Sequence, residues 1–398
     1  MALGTLRNDG KCLAKQAASF RLRLTLGVCV AWSLCSVAPI WKYFSHPKAA
    51  FATFVGVVSI AVGMYSLDRL NRNGRQIGLA WLLLLFLVLT GIFTVLYPIS
   101  LKHTLNRGSD REDALRIELV AIRHHQYPYD ARTFLGNPPT PLPGALLLAA
   151  PFFAIGHIAW QNFLWLALFF YFTIRFFRYR ATALFFLAVF LLFSPANLND
   201  FTSGGDYLTN FFYFAIAVAV FILSLNGSFY ASIPAAVFLG LTLSSRSIYL
   251  VVLIPLLVLT SQRTTRLRTT IFFVVVLAVA AAVTLPIFMP HPVTHLLRQL
   301  SQNSGKLRYI PDSLHPRWTL PFLGFIVTCV SFFVRMDMRR LFLIFSISSF
   351  AMIAPPVATL VIQMRKLPYE CAYFSISVLS FSLWALSRYE GGQAHSTN

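Results

Sequence analysis

The chain has 398 residues, 57% of them hydrophobic and only 12% charged, with a mean hydropathy of +0.68, whereas an average soluble domain carries about 25% charged residues. That composition excludes a soluble enzyme. The net charge of +20 would suggest nucleic acid in a soluble chain, but here the basic residues sit mainly in short loops, with no basic stripe of interleaved stacking aromatics, so it reports topology and no nucleic-acid partner is expected.

Backbone in lipid must satisfy its own hydrogen bonds, and no series of alternating ten-residue strands is present, so the spans are helices. The expected fold class is all-α, a polytopic integral membrane protein. A basic tail, 1–23, holds Arg7, Lys11, Lys15, Arg21 and Arg23. The apolar segment that follows lacks an A-x-A cleavage site and reads as a retained anchor. Apolar runs at about 24–41, 50–66, 78–97, 162–174, 181–195, 208–225, 231–245, 248–260, 270–288, 319–334, 341–361 and 371–387 predict twelve spans, with a short thirteenth at 144–157. With the tail cytoplasmic, the clusters Arg69/Arg72/Arg75, Arg175/Arg178/Arg180, Arg263/Arg266/Arg268 and Arg335/Arg339/Arg340 belong on the same side. All five basic groups share one side only if 144–157 fails to cross, and either dips in and returns or lies at the outer interface.

The whole chain, 1–398, then reads as one membrane domain with a second cytoplasmic tail at 388–398. Two outer loops are long, 98–143 and 289–318. Asp9, Asp68, Asp337 and Glu390 fall inside, whereas Asp110, Glu112, Asp113, Glu118, Asp130, Asp200, Asp206, Asp312 and Glu370 fall outside. Acids gathered on one face of a chain so poor in acids invite a functional reading, although water-exposed loops also carry acids for no other reason. The five cysteines include no CxxC pair, so neither a disulfide framework nor a zinc site is indicated.

In the first outer loop, Ser109 with Glu112 three residues later forms a capping box, and Ala114, Leu115, Ile117, Val120, Ala121 and Ile122 give an apolar side opposite Arg116 and Arg123. An amphipathic interfacial helix is expected there. Asp110, Glu112 and Asp113 suit either a helix dipole or a general base or metal-binding carboxylate. Tyr127-Pro128-Tyr129-Asp130 comes next, followed by an elbow at Pro138, Pro139, Pro141 and Pro143. Each proline fixes φ and restrains its predecessor, so that elbow is stiff and extended.

An acid after an early span, an amphipathic helix, this "PYD" turn, the proline elbow and the apolar run after it resemble the first luminal loop of GT-C superfamily glycosyltransferases, over residues 78 to 210. These multi-spanning enzymes use polyprenyl-phosphate sugars and include mannosyltransferases. The resemblance implies transfer of mannose or a similar hexose from a polyprenyl-phosphate donor to a lipid, glycan or protein acceptor. It also implies a catalytic base at Asp110 or Asp113, the latter lying closer to the family spacing before Tyr129. The chain departs from the family in the intervening Glu112, itself a candidate, and in His124-His125 where a glycine is common.

Asn199 to Tyr207, with Gly204-Gly205 between Asp200 and Asp206, resembles the superfamily's second acidic loop and suits an acceptor hydroxyl, a cation, or an ordinary turn. A leaving phosphate needs cations, for which Arg246, Lys306, Arg308, Arg317, Arg365 and Lys366, with Tyr369, are outer-face candidates. Each equally suits a snorkelling anchor. The sequence points firmly to no cofactor, and a divalent cation stays open; the spacing of His291 and His295 offers a weaker metal pair. Besides donor and acceptor, membrane lipids are the expected partners. Short loops and bare termini suit a bacterial inner membrane with the active site facing outward. The alternative function is a multi-pass transporter or lipid flippase.

Overall fold

Apolar runs become helices throughout, because only a helix pairs every backbone donor within its own segment. The computed structural model describes residues 2–74, 76–102, 110–300, 310–365 and 367–394, and no strand occurs among them. Long helices form α1 (Ala2–Tyr43), α2 (His46–Arg72) and α3 (Leu79–Ser100). A short α4 (Arg111–Arg123) and α5 (Pro143–Ala154) lead into α6 (Gln161–Phe176). Next come α7 (Arg180–Leu187), α8 (Pro195–Thr202), α9 (Tyr207–Ser224), α10 (Phe229–Leu243) and α11 (Leu253–Arg263). The chain finishes with α12 (Arg266–Phe288), α13 (Val293–Leu300), α14 (Pro316–Thr328), α15 (Met338–Met364) and α16 (Ser375–Ala394).

Among the described residues, eight segments are long and apolar enough to cross a membrane: they lie in α1, α2, α3, α9, α12, α14 with its continuation to Phe333, α15 and α16 with the turn before it. Two further helix pairs pass the same test but are bent, and α10 and Ser247–Arg263 are shorter apolar helices. The protein is therefore an all-α, multi-pass membrane protein.

Both bends have local causes. Between α5 and the 158–176 segment the axis turns by 112° where Gly156 adopts a φ of +83°, a conformation that a side chain disfavours. The short 144–157 run thus folds against its neighbour at a steep angle. The 74° bend between 180–192 and α8 comes at a π-helical turn, Ala188–Leu192, followed by Pro195 at the first position of α8. The expected straight span 181–195 is accordingly broken near its end.

Helix α9 is apolar on every side and lies in the middle, with Phe211, Phe212, Tyr213, Phe214 and Phe221 all buried. Phe212 stacks on Phe169 of α6 at 4.3 Å, and Phe214 stacks on Tyr249 at 4.3 Å. The Phe-rich sequence of α6 is thus mainly core, with Tyr171 turned outward. By contrast α2, α3 and α12 present exposed Phe51, Trp81, Leu87 and Val274, the surface expected toward hydrocarbon.

Polar contacts gather the helix ends into two groups. At one end Arg21 pairs with Asp68 at 2.9 Å, Glu390 accepts the N–H groups of Arg178 and Tyr179 at 3.0 Å, and Gln262 accepts the N–H of Met336 at 2.7 Å. The basic connections around Arg69, Arg178, Arg263 and Arg335 therefore share that end. Following the helices across the bundle, α4, the 199–206 turn and the Ser244–Arg246 turn meet at the other.

Candidate functional site

Helix α4 begins at Arg111 with Asp110 as its N-cap residue, which makes no side-chain capping bond. The expected capping box involves Ser109, which lies outside the described residues; Glu112 accepts a 2.8 Å hydrogen bond from the Tyr97 hydroxyl of α3. The buried side also differs from the expected one. Val120 and Ile122 are exposed, whereas Asp113, Ala114, Leu115, Glu118, Leu119 and Ala121 are buried. Leu115 and Leu119 pack on Ala145, Leu146 and Ala149 of α5, so α4 lies across α5 and carries acids inward with it.

The first-loop acids divide by what they hold. Asp110 accepts hydrogen bonds from the Thr133 hydroxyl and the Asn137 amide, both at 2.8 Å. Asp113 accepts from Arg116 through one oxygen and from the backbone N–H of Phe134 through the other, both at 2.9 Å. These two carboxylates tie the start of α4 to the 133–137 turn. Glu112 faces the opposite way: its second oxygen is buried without a hydrogen-bond partner among the described residues, and a Cβ built on Gly204 would stand 2.4 Å from it. Burial pushes the Glu112 carboxyl above its usual range, while the Tyr97 hydrogen bond and Arg116 oppose the shift.

Glu118 is wholly buried at 0% exposure, and neither of its oxygens has a hydrogen-bond partner among the described residues. An ionised carboxylate in that position is so costly that the group holds its proton instead. Burial raises its pKa well above the ordinary value, the charge of Asp206 raises it further, and only Arg246 opposes. The Tyr129 hydroxyl, also without a partner, is raised by burial and then by Glu118.

The 199–207 turn supplies the other side. Asp200 pairs with Arg111 and accepts the N–H of Leu208 at 2.7 Å, close to the N-terminus of α9. Gly205 is required there, since a Cβ would stand 2.3 Å from Asp200 Oδ1. Asp206 takes Arg246 in a fork, 2.7 Å and 2.6 Å, and also accepts from Asn210 at 3.0 Å. Both guanidinium groups lie against the ring of Tyr207, Arg111 at 5.3 Å and Arg246 at 5.5 Å from its centroid. Asn162 of α6 donates to the carbonyls of Phe201 and Gly205 at 3.3 Å and 3.1 Å, fixing the turn from beneath.

The proline elbow closes over the Arg246 turn. Its residues Leu142 and Gly144 donate to the carbonyls of Ser245 and Ser244 at 3.1 Å and 3.2 Å, and Gln299 of α13 donates to Pro139 at 3.0 Å. Thr140 accepts a longer bond, 3.4 Å, from Arg246.

The expected residues are thus partly assembled. Asp200, Asp206, Arg246 and Glu112 come together, while Asp110 and Asp113 join the neighbouring turn. Arg365 ends α15 in a left-handed conformation at φ 50° and is exposed. Lys306, Arg308, Lys366 and the side chain of Tyr369 lie outside the described residues. His291 and His295 flank Tyr127, with ring centroids 4.1 Å and 5.2 Å from it. Among the described residues no three His, Cys, Asp or Glu side chains gather at metal-ligand spacing. Arg111 and Tyr97 are members that the sequence did not single out, while Glu118 stood there only as one of the outer acids and Tyr129 only within the PYD turn, neither with a role of its own. The available signal was Glu118 lying between Leu115 and Leu119, an acid on an apolar helix face. Compared with known proteins, the chain matches no family model, no curated protein and no solved structure.

Proposed function

We propose that the protein is a membrane glycosyltransferase that moves mannose or a similar hexose from a polyprenyl-phosphate donor to a lipid, glycan or protein acceptor. One observation carries the reading: the bare oxygen of Glu112 faces a turn that holds two arginine–carboxylate pairs, Arg111–Asp200 and Arg246–Asp206. Such transfer needs a base at the acceptor and positive charge at the leaving phosphate.

Glu112 is the base in this mechanism, in preference to Asp113, whose two oxygens are already engaged by Arg116 and Phe134. A carboxylate lifted by partial burial moves toward neutral pH, where a general base works best. Glu112 takes the acceptor hydroxyl proton as the acceptor oxygen bonds to the anomeric carbon from the face opposite the phosphate. The bond from that carbon to the phosphate oxygen breaks with inversion, and Arg111 and Arg246 receive the developing phosphate charge. Neutral Glu118 adds no further negative charge beside Arg246. The reaction then faces the side away from the basic connections, outward if the positive-inside rule holds.

A transporter or lipid flippase is the second reading, favoured by the 112° and 74° bends beside a buried ionisable cluster, since transporters use broken helices and buried charges at their sites. One experiment separates the two. Purified protein in proteoliposomes is given a short-chain polyprenyl-phosphate mannose with a labelled sugar and a membrane lipid extract. Glycosyl transfer predicts covalently labelled product and free polyprenyl phosphate, reduced roughly 100-fold or more by Glu112→Gln with donor binding retained. Movement of intact donor across the bilayer without cleavage would overturn the enzyme reading.

A further inference from the structure

At the basic end of the bundle a pocket of about 270 Å³ opens between the end of α11 and the start of α15, lined by Gln262, Arg263, Arg335, Met336, Asp337 and Arg340. The three arginines are exposed. Among the described residues no carboxylate forms a salt bridge with any of them. The single acid of the lining, Asp337, is already engaged as the cap of α15, where it accepts the Arg340 backbone N–H at 2.8 Å.

The rim is held in place. Arg340 Nη1 donates to the Arg335 carbonyl at 2.5 Å, and the Gln262 amide bridges the Val334 carbonyl at 3.3 Å and the Met336 N–H at 2.7 Å. Of the three guanidinium groups that of Arg340 is thus held at the rim, and arginines around a concave space favour a tetrahedral oxyanion, for which they offer planar forks of donors. The volume lies just below the roughly 300 Å³ at which drug-sized ligand pockets begin, room for a phosphate headgroup rather than a nucleotide.

Directly before this turn Phe332 and Phe333 are 59% and 87% exposed. One corner thus offers apolar rings to acyl chains and arginines to a phosphate. Positive charge at the cytoplasmic end of a membrane protein is ordinarily a matter of topology, but a formed pocket with an apolar rim is more than topology requires. We propose that this corner is a binding site for a phosphate group, carried by an anionic phospholipid rather than free in solution. The site lies at the end of the bundle opposite the α4 cluster and is independent of the function proposed above.

The test uses the full-length chain in nanodiscs of phosphatidylcholine, with and without phosphatidylglycerol, read by thermal unfolding. Inorganic phosphate is added to the phosphatidylcholine discs as a separate arm. Phosphatidylglycerol is expected to raise Tm saturably, with little response to inorganic phosphate. The double variant Arg263→Gln/Arg335→Gln should need at least about tenfold more phosphatidylglycerol for the same rise, because each bond to a charged group contributes on the order of one decade of affinity or more. Arg266→Gln/Arg268→Gln, which removes the same charge from the adjacent start of α12, should respond like the unmodified protein. Equal losses in the two double variants, or no phosphatidylglycerol response at all, would overturn the site. A response to inorganic phosphate equal to that of the lipid would overturn the lipid as its source.

Discussion

Glu118 decides the electrostatics of the α4 cluster. Its carboxyl is raised by burial first and by Asp206 second, so the folded protein holds a proton that the unfolded chain releases near the ordinary glutamate pKa of about 4.3. Between that pH and the raised folded value the native state binds more protons than the unfolded state. Stability therefore falls as pH rises, by about 1.4 kcal/mol per pH unit. Glu118→Gln removes the titration: its Tm should lie closest to that of the unmodified protein near pH 5 and exceed it increasingly toward pH 8, as measured by thermal unfolding in buffers of constant ionic strength. A difference that does not change with pH would mean that Glu118 is ionised in the fold. The Asp206–Arg246 pair is the converse case, because both members are charged and each satisfies the other, with side-chain exposures of 3% and 14%. Asp206→Asn or Arg246→Gln alone should cost roughly 3 to 5 kcal/mol by stranding a buried charge, and the double variant less than the sum of the two. A double-mutant cycle in Tm reads the coupling. Asp200, Asp206 and Arg246 were legible in the sequence as charged residues beside spans, and so was their outer-face grouping. Their pairing was not, since which acid meets which arginine depends on how α9 and α10 pack. Glu118 was legible as an outer acid but not as a buried one, because the face that α4 buries is set by α5.

At the scale of elements, the elbow Pro138–Pro143 ties α4 to α5 and α10. Its stiffness is a local property of proline and was readable as such. Its landing place was not readable, because the backbone bonds to Ser244 and Ser245 join residues about a hundred positions apart. Gly144 marks the closest approach: a Cβ there would stand 2.3 Å from the Leu241 carbonyl, a backbone atom that cannot step aside as a side chain does. Gly144→Ala should therefore cost about 1 to 3 kcal/mol by overpacking and loosen the elbow. Gly91→Ala is the control, since nothing lies within 4 Å of where its Cβ would stand and its helix is regular. Limited proteolysis across 131–142, faster in the first variant and unchanged in the second, checks both. The bend at Gly156 and the π-helical turn before Pro195 belong to the same scale. The 144–157 piece stood out as too short to cross, whereas the break inside 181–195 did not, because its apolar residues run on without interruption through the turn.

For the whole molecule, the charge asymmetry and the helix directions agree on which ends lie together. Arg21 reaches Asp68, and Glu390 reaches the 178–179 turn, so the N-terminal part of α1, the end of α2 and the end of α16 meet with the basic connections. The acids of α4 and of the 199–206 turn gather at the opposite end. The apolar periods marked twelve runs and a short thirteenth, whereas among the described residues eight segments are long and apolar enough to cross, with two bent pairs and two shorter apolar helices besides, and only the contacts between remote helices show which turns come together. A positive-inside orientation then fixes the side of each long loop. Alkaline phosphatase, active only after export from the cytoplasm, should be active when fused after Gly136 and silent when fused after Arg266, and this comparison needs no knowledge of substrate. The two fusions must differ if 144–157 turns back instead of crossing, because α6, α7, α9, α10 and α11 then carry the chain from one side to the other between them. Equal activities would mean either that 144–157 crosses or that one of these five helices does not. The reverse pattern would place the α4 cluster in the cytoplasm, where a donor displayed on the outer leaflet is out of reach, and the proposed transfer would have to be abandoned.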